Sequence, residues 1–449
     1  MSVPAAVSTA VTSQPAAESR KKSKPRKRWL FGPVKFLLAM VFCQTPIGAL
    51  LILGWTFRLI QRAALKQWWR LARVRGSGPI TFSEFIAMDS RWIEHVSWPN
   101  WVVSQNFSRA LQALSGLPLG RRLRTFVKLL VASLWQNLKL GTQGILNVWL
   151  FTLPGCLLMF FGWYDGWNNS FNKGYEQAVV GPGISLLGIA LLIGALFYVP
   201  MAQARQAVTG EWRRFYDFRL VWTLARRMWF GCLGLAVLYA ALMLPIMVLG
   251  FLPMFFPQLP GAAAEVSPGQ AVAGLKTYFF WCAALVFPAF VSLRWIAARL
   301  YAHALLRALQ AGTITEEALS ELEWHAFHRL NLFEVVTTAP RHRLIRLAAW
   351  TGSRVARILA TLLAVLVGFV LVGQMYVSSF MNYRHAFSWL NHPLIQLPWF
   401  RHLPAYAQNP WAEVFAAVVI VGLAFGINRV FRCRTCDPRE HGIEQPAHR

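Results

Sequence analysis

The chain has 449 residues, of which 56% are hydrophobic and 14% charged, with 45 Lys and Arg against 18 Asp and Glu for a net charge of +27. Soluble domains carry about 25% charged residues. Together with a mean hydropathy of +0.41, this excludes a disordered chain, a disulfide scaffold and a soluble globular enzyme, and leaves an all-α, polytopic membrane protein.

Residues 1–19 are mainly Ala, Ser, Thr, Val and Pro, lack a periodic apolar face and are expected to be disordered. A basic run from Arg20 to Arg28 follows and completes an arm over 1–33. Beside a membrane segment, anionic lipid headgroups are the expected partner of such a run, and no nucleic-acid partner is expected.

A membrane-spanning helix needs about 20 apolar residues to cross roughly 30 Å of hydrocarbon. Stretches free of Asp, Glu, Lys and Arg hold 22 residues after Lys35, 25 after Lys139, 28 after Glu176, 37 after Arg227, 17 after Lys276, 26 after Arg357 and 15 after Glu413. Strict alternation is lacking, so helices are the remaining way to satisfy the backbone in lipid.

The first stretch, 34–59, is the ambiguous one. If it crosses, residues 58–139 lie outside with 13 Lys and Arg against three acids, in conflict with the positive-inside rule. Gln44-Thr45-Pro46-Ile47-Gly48 lies at its centre, where Pro removes a donor and Gly eases a turn. Two readings follow, a Pro-kinked span and a re-entrant hairpin with arms of about 16 Å. The charge pattern favours the hairpin.

Six full spans are then expected, near 140–164, 180–203, 228–252, 275–298, 358–383 and 411–428, with both termini cytoplasmic. The three outside loops share four Lys and Arg, and the inside carries 41.

Residues 60–139 read as cytoplasmic interfacial helices. Leu65, Trp68, Trp69 and Leu71 interleave with Lys66, Arg70 and Arg73, and Arg121, Arg122 and Arg124 repeat the theme. These six cations form the expected lipid-facing basic patch. The other reading of this piece is a small helical cap packed on the bundle. Residues 299–353 form a second cytoplasmic block with a helix start expected at Thr313–Glu317. Residues 354–428 hold the last two spans and an outside loop over 384–410, and 429–449 form a cytoplasmic tail.

No charged residue lies well inside the expected spans. Asn147, Gln374 and Asn382 are the intramembrane polar candidates, either for interhelical hydrogen bonds or for a transport path. Glu321, His325 and His328 fall on one helix face, but a polar face is the default and no metal site is assigned. Cys43, Cys156, Cys232 and Cys282 are expected as buried thiols. Cys433 and Cys436, with His441, supply too few ligands for a structural zinc site, and Cys433 is a candidate for palmitoylation. No nucleotide loop, nucleophile elbow or paired carboxylates point to catalysis, and no cofactor is expected.

One segment carries a family likeness. Pro200, Arg205, Gly210 and Asp217, within Pro200–Gly210 and Phe215–Phe218, resemble a stretch in a family of uncharacterised bacterial multi-pass membrane proteins. The resemblance covers about 20 residues and implies a membrane-embedded helical fold in a bacterial host; a multi-pass protein of the bacterial cytoplasmic membrane is expected. In physical terms, Pro200 is expected to kink the helix end, Arg205 to anchor at the inner interface and Gly210 to permit a turn.

The functional expectation is a non-enzymatic scaffold or assembly component that binds anionic lipid at the inner leaflet and has a membrane-protein partner of unassigned identity. The alternative is a passive channel or a transporter of lipid or small apolar solute. An intramembrane enzyme without a recognised motif is the third reading.

Overall fold

The structure is a computed structural model, and it describes residues 31–74, 81–87, 118–162, 180–253, 255, 267–333, 354–359, 361–370 and 373. All regular structure among them is helical. The helices are α1 (Phe31–Phe42), α2 (Pro46–Val74), α3 (Phe82–Ala87), α4 (Leu119–Phe161), α5 (Val180–Thr209), α6 (Phe218–Arg227), α7 (Trp229–Phe251), α8 (Pro268–Gln310) and α9 (Glu321–Arg329). Residues 354–359 and 361–370 are also helical. Five helices (α2, α4, α5, α7 and α8) are long and apolar enough to cross a membrane, which is the architecture of a multi-pass membrane protein.

α1 and α2 fold back on each other. Phe36 and Trp55 both pack on Phe287 of α8, each with its ring centroid 6.1 Å away. In one continuous helix those residues would stand about 28 Å apart at 1.5 Å per residue, so α1 and α2 are two helices joined by a turn. The turn between the helices is built from its own polar groups. Gln44 Nε2 donates to the Met40 carbonyl at 3.0 Å, and the Gly48 N–H donates to Thr45 Oγ1 at 3.1 Å. Thr45 therefore caps α2 and Pro46 occupies its first position, where a missing N–H costs nothing.

The sequence-based boundaries at 59/60, 139/140 and 298/299 all fall inside continuous helices. α2 runs 29 residues, while α4 and α8 run 43 each. The physical reason is local. Lys, Arg, Leu and Gln are good helix formers, and charge alone does not stop a helix once its apolar stripe has a surface to pack on. The stretch 63–74 is thus not a separate helix. Ala64, Leu65, Trp68 and Ala72 are buried. The Trp68 indole donates to the Ala302 carbonyl at 3.0 Å and sits edge-on to Phe327 at 5.0 Å. The apolar side of this segment faces protein. Of the last two expected spans, 358–383 is described only in part and 411–428 lies outside the described residues.

α2 and α4 pack antiparallel at backbone contact. A Cβ at Gly54 would overlap the Asn137 carbonyl oxygen, and one at Gly141 would overlap the Leu50 carbonyl oxygen. Small residues at such crossings let dispersion and backbone contacts replace the missing hydrophobic drive within lipid. The expected helix start at Thr313–Glu317 is instead a 3-10 turn over Glu316–Ala318. α9 begins later, at a capping box between Ser320 and Glu323. All four cysteines of the apolar stretches are buried free thiols, as expected.

Gly54→Ala is expected to lower stability by about 1–3 kcal/mol, the usual cost of overpacking, whereas Gly234→Ala, where a methyl meets nothing within 4 Å, leaves it unchanged or raised. Thermal unfolding of both variants in one detergent checks this.

Candidate functional site

The C-terminal end of α5 carries the polar run Gln203, Arg205, Gln206 and Thr209, and all four are buried. The helix runs past Pro200 and past the expected span end near 203, to Thr209. It stops at Gly210, whose φ of 75° requires the left-handed region and suits glycine. The Gly210 N–H still donates to the Gln206 carbonyl at 3.0 Å. A 3-10 turn over Trp212–Tyr216 then leads into α6.

Arg205 is enclosed by protein. It is 1% exposed, and its guanidinium meets three chain segments. Its Nε donates to Asp217 Oδ2 at 2.8 Å, its Nη1 to Glu323 Oε2 at 3.4 Å and its Nη2 to the Ala318 carbonyl at 3.0 Å. Glu323 is fully buried. It accepts from the Tyr301 hydroxyl of α8 and from the Ser320 N–H at 2.8 Å. Asp217 is 31% exposed and also faces Arg214, 3.7 Å away. A buried guanidinium persists only where its donors are met, and the charge-assisted bonds to two carboxylates do this here.

Asn147 of α4 joins the same construction. Its Nδ2 donates to Gln206 Oε1 at 3.1 Å and to the Trp212 carbonyl at 3.0 Å, and its Oδ1 accepts from the Tyr216 hydroxyl at 3.3 Å. Burial pushes the Tyr216 phenol above its ordinary pKa, so it stays a neutral donor. The turn after α5 is therefore pinned from two sides, by Asn147 and by Arg205. Gln374 and Asn382 lie outside the described residues.

Two further arginines are buried on neighbouring helices. Arg58 of α2 donates to Gln136 Oε1 at 2.7 Å. Arg294 of α8 donates to Gln203 and lies 4.4 Å from the centroid of the Phe290 ring. Arg294 falls within the expected span 275–298 and was not recognised as interior, because an arginine near the end of an apolar stretch reads as a boundary.

The basic patch has a different setting. Arg62, Lys66, Arg70 and Arg73 are exposed along one side of α2, and Arg73 lies 5.6 Å from the Trp69 ring. Arg121 and Arg124 of α4 are exposed as well. Arg122 lies beside them on the helix, with its side chain outside the described set. His325 pairs with Glu321 at 3.7 Å while His328 stacks on Trp324. Among the described residues no three His, Cys, Asp or Glu side chains group as a metal site.

Arg205, Asp217 and Asn147 are legible in the sequence as candidates, whereas Glu323, Tyr301 and Gln206 join them only in the fold. Only Glu323 carried a signal, the Ser320-x-x-Glu323 spacing of a capping box. Comparison with protein-family models, with curated proteins and with solved structures finds no match to this chain.

Arg205→Ala leaves two carboxylates facing an empty place and is expected to cost about 3–5 kcal/mol. Arg214→Ala, at a site one-third exposed, is expected to cost less than about 1 kcal/mol. Denaturation of the two variants in parallel reads the difference.

Proposed function

We propose that this protein is a membrane-embedded scaffold or assembly component of a bacterial cytoplasmic membrane, and that its inner surface binds anionic lipid. The observation that carries the reading is the division of α2. One side is sealed against α8 and α9 through Trp68, while Arg62, Lys66, Arg70 and Arg73 stay exposed on the other. None of these four cations pairs with a carboxylate among the described residues. Each basic residue near an anionic surface contributes about 1 kcal/mol of attraction. The interior favours a rigid body over a conduit, since the polar side chain offered for a transport path, Asn147, has its hydrogen bonds committed to Gln206, Trp212 and Tyr216.

The topology we propose has six full spans and both termini inside, with α1 and the first part of α2 dipping into the membrane from the inner side. The 12-residue α1 is about 18 Å long, short of a crossing, and its fold back onto α2 suits re-entry. The likeness of Pro200–Asp217 to bacterial multi-pass proteins is consistent with this placement.

The full chain, extracted in a neutral detergent and offered equal phosphatidylglycerol and phosphatidylcholine, is expected to retain the anionic lipid preferentially. Exchange of Lys66, Arg70 and Arg73 for Gln is expected to weaken that preference by about fivefold per cation, with native mass spectrometry as the readout. Equal retention of the two lipids by the unaltered protein would sink the reading. For topology, a reporter enzyme active only outside the cell, fused after Gly116, is expected to stay silent, and activity there would exclude re-entry.

A further inference from the structure

One face of α8 changes character along its length. Trp281 and Leu285 are 62% and 43% exposed, and Trp295 is 41% exposed. The same face then continues as Arg299, His303 and Arg307. The spacings of four, ten, four, four and four place these six residues within a stripe about 120° wide at 100° per residue. The basic part, from Trp295 to Arg307, is about 18 Å long.

Its cations are held in place without being neutralised. The Arg299 guanidinium lies 4.4 Å from the Trp295 ring centroid, and its Nε donates to Gln67 Oε1 of α2 at 3.3 Å. Gln67 is 7% exposed, and its Nε2 lies 2.8 Å from His303 Nε2. Because Oε1 takes the Arg299 bond, the amide nitrogen is the donor to His303. The neutral ring then carries its proton on Nδ1. On the other flank, Arg307 Nη1 reaches the Met228 sulfur at the end of α6, 3.4 Å away. Among the described residues no carboxylate pairs with Arg299, His303 or Arg307.

We infer that this face of α8, flanked by α2 at Gln67 and by the end of α6 at Met228, is a binding site for a single anionic phospholipid. The chemistry on both halves of the stripe fits one amphiphile. Arg299, His303 and Arg307 offer N–H donors to a phosphodiester, and a planar guanidinium suits phosphate oxygens. Trp295 stands at the change from apolar to basic, where interfacial tryptophans sit. Trp281 and Leu285 continue the path for an acyl chain. A free phosphate would use the basic half alone and leave the apolar half without a role. The inference rests on the lipid-binding reading above and deepens it, because it adds a discrete site to the diffuse attraction of the exposed row on α2.

The test uses the full chain with matched phosphatidylglycerol and phosphatidylcholine, and native mass spectrometry to count retained lipid. Arg299→Gln with Arg307→Gln is expected to lose one bound phosphatidylglycerol with an affinity drop of about fivefold or more, while Arg299→Lys with Arg307→Lys retains most of it. A thermal melt shows that each variant is folded. If the glutamine pair, folded, binds as the unaltered protein does, the site is wrong. If only exchange of Lys66, Arg70 and Arg73 lowers retention, the site is wrong and the broader reading stands. If the unaltered protein shows no preference for phosphatidylglycerol, both fail. If inorganic phosphate protects the protein in a melt while no lipid is retained, the ligand is a soluble anion and the lipid assignment is overturned.

Discussion

A guanidinium removed from water must find an acceptor for each of its donors, and Arg205 finds them on three different pieces of chain. Asp217 follows the turn after α5. Ala318 lies in the short 3-10 turn after α8, and Glu323 opens α9. The cost of burying the charge is offset only when all three arrive together. This end of the bundle is thereby ordered by one side chain, and the helices that carry its partners are set by it. Tyr301 and Ser320 extend the same logic to Glu323, a carboxylate that would be untenable in the interior without donors around it.

Around that point the chain sorts its many cations into two populations. Arg58, Arg205 and Arg294 are buried and hydrogen-bonded. They act as interhelical fasteners, with Gln136, Asp217 and Gln203 as their partners. Arg62, Lys66, Arg70, Arg73, Arg299 and Arg307 remain at least partly open. Among the described residues none of them pairs with a carboxylate, which leaves their charge to the solvent side. The same helices serve both populations. α2 buries Arg58 and Trp68 on one side and presents Lys66 and Arg70 on the other, so packing and surface charge are coupled through its rotation about its own axis.

Much of the fold was legible in the chain. The apolar stretches that become α4, α5, α7 and α8 stand out because lipid demands about 20 uninterrupted apolar residues, and the turn at Gly210 was visible because few other residues adopt a positive φ. Other features were not. The extension of α2, α4 and α8 through basic segments was hidden, because a run such as Gln61–Val74 has the same pattern whether its apolar side meets lipid or protein. The break at Gln44–Gly48 was legible from Pro46 and Gly48, but that Thr45 caps the second helix with Pro46 in its first position was not. Of the inner cluster, Arg205 and Asp217 stood in one short segment, but Glu323 and Tyr301 lie about a hundred residues further along the chain.

The sequence by itself determined that this is a strongly basic, helical membrane protein, since composition and the length of apolar runs depend on the solvent rather than on any particular packing. Only the tertiary structure decided which cations are interior and which are surface. It also decided that α1 folds back on α2 and that Asn147 holds a turn. Each of these depends on which side of a helix meets a neighbour, and that is set by contacts between residues far apart in the chain.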